Sequence, residues 1–367
     1  MKTLQEHRIN LHRIPEIGFN EFKTQAYILS QLQGLSCNIH TLQPTGLVVY
    51  FPCPKKEAKT IGFRADMDAL PVTEETGLSF SSEHPGMMHA CGHDAHCAIL
   101  IGLAHYIHEH IENMSTHVVL IFQPSEENEA GAHVILQSGW LEKYHVSAIF
   151  GLHLWPGLPF GTLHTRADEL MAASSETDIM VHGKASHIAN ADQAIDALYI
   201  ATQLIQDLYL FEKNQPETVY RLLKFGKLEA GTVRNVVANQ AHLQGSLRTF
   251  YPNVHAHFKA FITQTAQKYE AKTGCTININ YNDGYEAVLN DKALFQWVTQ
   301  NIPYVHALPE PVMQAEDFGL YRRHCPLLFC FLGVGDVPPL HANNFNFNMD
   351  VLDQGLRWFI DLIQLYG

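Results

Sequence analysis

Four short apolar runs punctuate the chain, and each is closed by polar residues. Residues 60–65, "TIGFRA", lead into "DMDALP", and residues 118–123, "VVLIFQ", lead into "PSEENEAG". Residues 148–152, "AIFGL", precede His153, and residues 327–335, "LLFCFLGVG", are followed shortly by "PPLHANNFNF". Such runs predict buried strands. Between them Ile99, Leu103, Tyr106, Ile107 and Ile111 recur at helical spacing after Asp94, which is placed to cap that helix. Apolar strands alternating with amphipathic helices predict an α/β domain with a largely parallel central sheet.

Residues 174–286 follow another rhythm. They read as strand ("SSETDIMVHG"), helix ("DQAIDALYIATQLIQDLYLF"), strand ("TVYRLLKFGKLE"), strand ("AHLQGSLRTF"), helix ("VHAHFKAFITQTAQKYEAKTG") and strand ("CTININYNDGY"). That order predicts a ferredoxin-like α+β unit inserted into the larger domain, which then comprises residues 1–173 and 287–367. Neither a repeat nor a low-complexity linker is visible.

Composition narrows the function classes. At 46% hydrophobic and 17% charged residues the chain is that of an ordinary globular protein. Its net charge of −13 argues against nucleic acid and anionic membrane surfaces as partners, since both select for clustered Lys and Arg. No apolar run has the length of a signal sequence or a membrane span. Seven scattered cysteines fit a reducing compartment, so cytoplasm is the expected location.

The chemistry-bearing residues share one placement. Asp66 and Asp68, Glu126 and Glu127, His153 and, less directly, His341 all follow the end of a predicted strand, and open α/β sheets gather ligands at that edge. Residues 87–100, "MMHACGHDAHCAIL", add Cys91 and His93, two apart and able to bind from one turn. Thiolate, imidazole and carboxylate are donors for a borderline cation such as zinc, manganese, cobalt or nickel. A lone Cys-Gly-His is a weak signal; joined to a Glu-Glu pair and two histidines at strand ends it becomes a strong one. Glu126 and Glu127 repel each other unless a cation intervenes. A cation bound by one would lower the pKa of water towards about 7, and the other could accept the proton. The competing reading is a solvated acidic run, "EENE", capping the next helix.

"FRADMDALPVTEETG", "MHACGHDAH", "FQPSEENEAGA", "GLHLWP", "GKASH", "AEDFG" and "PLHANNF" together resemble, in order and spacing, the metal-dependent N-acyl-amino-acid amidohydrolases. This branch of the aminoacylase and glutamate carboxypeptidase family includes hippurate hydrolase, auxin-conjugate hydrolases and N-acetyldiaminopimelate deacetylase, and the likeness covers nearly the whole chain. The resemblance implies one or two divalent ions held by Cys91, His93, Glu127, His153 and His341, with Glu126 as general base and then acid. The wider family's His-x-Asp reads Asp66-Met67-Asp68 here, so both aspartates are expected to support the ligands, and Asp68 is expected, with Glu126, among the catalytic residues. Asp94 and His96 are expected to orient ligands by hydrogen bonds.

The resemblance further implies that the inserted unit is a lid and a homodimer contact, bringing His187, Asn235 and Arg248 to a small N-acyl-amino-acid substrate. The usual "GGHAAxPH" is replaced by "ASHIANADQA", which puts the shape of the pocket rim in question. "PEIGFNEFKTQAYIL" and "FQPSEENEAGA" look most like the diaminopimelate-branch deacetylases, favouring an acetylated dicarboxylic amino acid. Hippurate and general acyl-amino acids stay open as substrates, and a dipeptide-cleaving metallopeptidase is the rival from another class. Cys97, Cys330 and the histidines at 164, 182, 242, 255 and 257 are expected to be core or surface residues.

Overall fold

The computed structural model describes residues 2–366. The chain divides into two compact units: Met1–Leu170 with Leu289–Glu310 and Asp317–Gly367, and Met171–Val288 with Pro311–Glu316.

The first unit is built on an eight-stranded sheet in the order Asn38–Thr41, Leu47–Phe51, His117–Gln123, Thr60–Asp66, Val146–Trp155, Leu327–Gly333, Leu163–Thr165, Val305–Ala307. The four long central strands are mutually parallel. Thr60–Asp66, His117–Gln123 and Leu327–Gly333 are buried at every position, as strands covered on both faces must be, so they read as unbroken apolar runs rather than alternating ones. Helices His93–His110 and Val351–Tyr366 contribute Ile99, Leu103, Ile107, Trp358 and Leu362 to the core beside Phe63, Leu120 and Phe150.

Two boundaries beside the site differ from the sequence reading. The third predicted strand extends past His153 to Trp155, because Leu327–Gly333 pairs with it up to Trp155 opposite Gly333. The helix expected to start from Asp94 starts at His93: Gly92 takes φ 85° and turns the chain directly into the helix, leaving Asp94 inside the first turn.

The second unit is a four-stranded antiparallel sheet ordered Thr276–Asp283, Ala173–His182, Gln240–Thr249, Arg221–Ala230. Numbered along this unit that is fourth, first, third, second, the ferredoxin-like arrangement. Helices Ala197–Lys213 and Pro252–Thr273 bring Leu204, Leu208, Phe258 and Ile262 against Ile179, Val181, Leu243 and Leu247. The first of these helices begins later than its apolar pattern implies, because Asp196 accepts the Tyr199 amide and caps it there. Pro311–Glu316 joins this unit through Val312, bridged to Met171, and the Gln314 carbonyl, which accepts the Ala172 amide.

Candidate metal centre

The central strands of the first unit finish at one level. Asp66 lies opposite Gln123, and Arg64 lies opposite Gly151, so Asp66 and His153, each two residues further on, reach the same height. Cys91 and His93 straddle the left-handed Gly92 and turn into this edge. Glu126 and Glu127 occupy one helical turn, Glu126–Glu129, flanked by left-handed Ser125 (φ 50°) and Ala130 (φ 51°). The solvated-run reading fails here: Glu126 is 5% exposed, and Glu127 Oε1 is buried. His341 comes from a loop, with φ 67° and its amide donating to the Ala90 carbonyl at 2.9 Å.

The structure brings these side chains together. Donor atoms of Cys91, His93 and Glu127 lie within 4.8 Å of one another, as do those of Asp66, His93, His96 and His153. Cys91 Sγ is 3.4 Å from His153 Nε2. Glu127 Oε1 is 3.9 Å from His93 Nε2 and 3.2 Å from His341 Nε2.

Hydrogen bonds decide which nitrogen of each ring is left to bind. His93 Nδ1 donates to the carbonyl and Oδ1 of Asp68 (3.0 and 3.2 Å), and His153 Nδ1 donates to the Leu154 carbonyl at 2.7 Å. In the neutral rings their Nε2 atoms therefore carry the free lone pairs. His96 is different. Its Nε2 accepts the Leu154 amide at 3.1 Å, so Nδ1 holds the proton and donates to Asp66 Oδ1 at 2.6 Å. Both of its nitrogens are engaged, and it orients Asp66. Asp68 also accepts the Glu127 amide at 2.9 Å, tying the two loops together. Asp94 turns away to Arg8 Nε (3.2 Å) and His12 Nδ1 (2.7 Å) on the helix Leu4–His12.

A divalent cation fits this donor set. Nε2 of His93 and Oε1 of Glu127 are buried and make no well-aligned hydrogen bond; they face Asp66 Oδ2 at 3.5 Å and His341 Nε2 at 3.2 Å, respectively, which are themselves candidate donors to an ion. Burial pulls the His93 pKa down, but Asp66, Asp68 and Glu127 outweigh it and carry it up to about 10. Burial and the carboxylates of Glu127, Glu126 and Asp66 push the Cys91 thiol well above its ordinary range. The pocket thus calls for positive charge, and a cation that displaces those protons satisfies thiolate, imidazole and carboxylate at once.

Sequence reasoning passed over the residues behind the cluster. Arg64 bonds Asp66 Oδ2 (2.7 Å), Asp317 Oδ1 (2.9 Å) and Gln123 Oε1 (2.9 Å), all buried. Asp317 also accepts from Gln123 Nε2 and the Ala132 amide. The available signal was a polar residue inside each of two apolar strands, Arg64 and Gln123. On the second unit His187 and Asn235 are neighbours: His187 bridges Val236, and the Ile188 amide donates to the Asn235 carbonyl at 3.0 Å. Arg248 bonds Ser246 Oγ (3.0 Å) and stands opposite Ser174.

A parallel-sheet edge gathering Cys, His and Glu donors beside a second buried glutamate defines a metallohydrolase. The chain belongs to peptidase family M20/M25/M40, whose sequence profile matches residues 62–365. It is 35% identical over 356 residues to the N-acetyldiaminopimelate deacetylase of Leuconostoc citreum, covering 93% of this chain and 90% of that one. To the enzyme of the same name from Anoxybacillus flavithermus it is 36% identical over 360 residues, covering 95% and 94%. The crystal structure of the Bacillus subtilis YXEP protein, a dinuclear metal-binding peptidase of the M20 family, superposes with a TM-score of 0.85 at 30% identity, covering 99% and 98%. The protein is a metal-dependent amidohydrolase. Among the described residues no helix is long and apolar enough to cross a membrane.

Proposed function

We propose that the protein removes the acyl group from an N-acyl amino acid, with N-acetyldiaminopimelate as its substrate. The observation that carries the reading is the buried convergence of Cys91, His93 and Glu127 donor atoms within 4.8 Å of one another, beside Glu126. Full-length likeness to deacetylases of that substrate supports the choice of amide. In this reading Cys91, His93, Glu127, His153 and His341 hold one or two divalent cations, Asp68 steadies His93 and Glu127, and His96 steadies Asp66. When bound, such a cation lowers the pKa of water and polarises a carbonyl. Glu126 takes the proton of the attacking water and passes it to the departing amine as the amide C–N bond breaks, releasing acetate and the free amino acid.

His187 and Asn235 are proposed contacts for the substrate's carboxylate or developing oxyanion. Arg248, which bonds Ser246 Oγ, is a third proposed contact for the substrate's carboxylate. A homodimer through the second unit belongs to the same reading, supported by exposed Leu198, Tyr199 and Leu228, and sedimentation of the purified protein tests it.

Side-by-side assays decide the substrate: acetate release from N-acetyldiaminopimelate and other N-acetyl amino acids, benzoate release from hippurate, and cleavage of dipeptides, each with and without chelator. Chelator-sensitive acetate release with the highest kcat/KM on N-acetyldiaminopimelate is expected. A faster hippurate or dipeptide reaction would replace that substrate. For the mechanism, Glu126→Gln is expected to keep its metal and lose about 10²- to 10⁴-fold in kcat, whereas Cys91→Ala loses metal and activity together. A fully active Glu126→Gln enzyme removes Glu126 from the chemistry.

A further inference from the structure

The stretch "PEIGFNEFKT", residues 15–24, carries two glutamates that the metal centre does not use directly. Glu16 does ordinary work at the start of the helix Phe22–Leu32. Its carboxylate accepts the amides of Lys23 (2.9 Å) and Thr24 (3.0 Å) and the Thr24 hydroxyl (3.1 Å). Glu21 occupies the N-cap position of that helix, yet its side chain makes no cap hydrogen bond. It runs inward instead and is fully buried. There Oε1 accepts the backbone amide of Ser125 at 2.8 Å, and Oε2 accepts the Thr45 hydroxyl at 2.5 Å.

Ser125 is the residue where the chain must bend to present Glu126 and Glu127. It holds a left-handed conformation (φ 50°, ψ 52°) that a serine seldom adopts. Gly18, from the same stretch, backs against it so closely that a Cβ on Gly18 would lie 2.4 Å from Ser125 Oγ. On the far side of the turn the Ser125 carbonyl accepts the Gly131 amide at 3.0 Å, and Asp68 holds the Glu127 amide. The stretch also reaches the other acidic loop, since the Glu16 carbonyl accepts the Ala69 amide at 2.8 Å, one residue past Asp68. A buried carboxylate taken from a helix start and given to one strained amide is a brace.

We infer that Glu21 is a positioning residue for the amide hydrolysis, its carboxylate fixing the left-handed turn at Ser125 and thereby the aim of Glu126. The inference rests on the proposed role of Glu126 as proton carrier. A misplacement of about 1 Å in a reacting group costs on the order of 10²-fold in rate, so the effect belongs in kcat.

The test compares Glu21→Ala, Glu21→Gln and Glu126→Gln at saturating metal, on whichever acyl amino acid the parent enzyme hydrolyses best. Measured are kcat and KM separately, metal content and melting temperature. Glu21→Ala is expected to lower kcat by about 30-fold or more, with KM within about threefold and metal retained. Glu21→Gln, whose amide oxygen can still accept the Ser125 amide, is expected to restore most of kcat. A merely structural Glu21 would lower the melting temperature and leave kcat within about twofold, and that result overturns the inference. So does a Glu21→Gln enzyme no better than Glu21→Ala. If Glu21→Ala does not fold, Thr45→Val carries the test: it removes the second anchor of the carboxylate and is expected to lower kcat about fivefold at unchanged KM, and an unchanged kcat overturns the inference. An inactive Glu126→Gln beside a fully active Glu21→Ala disposes of the brace alone, whereas an active Glu126→Gln disposes of the proton carrier on which it rests.

Discussion

An imidazole offers two nitrogens, and the partner of one fixes the use of the other. Three buried histidines at this site divide on that rule. His93 and His153 give Nδ1 to oxygen acceptors and keep Nε2 for the cluster, while His96 has no nitrogen left over. Asp68 therefore matters to metal affinity without being placed among the donors: it accepts the His93 proton and the Glu127 amide at once. Asp68→Asn keeps the shape but offers an amide where both partners are donors. We expect metal affinity to fall by about 10- to 100-fold, measured by titrating the apo-enzyme with zinc or manganese, and an unchanged affinity would show that Asp68 holds nothing the metal needs. The candidate donors could be named from the sequence because Cys, His and Glu are metal-binding residue types and their motifs resemble those of a metal-dependent family. Arg64 showed only as a charge inside an apolar run, and Asp317 and Glu21 were not legible in that way. Each owes its role to a partner dozens to hundreds of residues away, and nothing local distinguishes a bracing glutamate from a surface one.

At the scale of elements, apolar runs announced the four central strands, because burial on both faces leaves no polar alternation to confuse the reading. What they could not announce was where pairing stops. His153 lies inside its strand because a neighbour from the other end of the chain extends the ladder, and the helix start at His93 depends on one backbone angle at Gly92. The N-terminal helix Leu4–His12 was not among the predicted elements, and it has a pH dependence of its own. His7 packs its Nδ1 against Tyr27 Oη at 3.0 Å and its ring against His105, with Glu6 and Lys2 nearby. Burial, then the charges of His105 and Lys2, lower its pKa to about 4. The folded state therefore prefers neutral His7. Its contribution is complete above about pH 6.5 and is lost as pH falls from there towards 4. Relative to His7→Gln, the parent protein is expected to lose about 1 kcal/mol between pH 7 and pH 5, a figure reduced for solvent screening. Parallel denaturant titrations at the two pH values check it, and equal losses in both proteins would show that His7 titrates normally.

The whole molecule is a chain that leaves its metal-binding unit at Leu170, rejoins it at Leu289 and revisits the second unit at Pro311–Glu316. The ferredoxin-like order makes this detour possible, since the first and last strands of the second unit are neighbours with Ser175 opposite Asp283. The Ser174 amide donates to the Tyr285 carbonyl at 3.1 Å, so the chain goes out and comes back at one place. Each unit has its own apolar core. All the proposed donors, and the braces behind them, belong to the first. Metal binding should then stabilise that unit by mass action, by about 2.7 kcal/mol at a free concentration of 100 times Kd, and leave the second unit's core untouched. Hydrogen exchange with and without chelator reads the difference segment by segment. Removing the metal is expected to speed exchange at residues 89–96, 125–131 and 339–345, and to leave the helices Ala197–Lys213 and Pro252–Thr273 as they were. Equal deprotection of those two helices would mean that the units unfold as one, and the ferredoxin-like core would then be no independent scaffold.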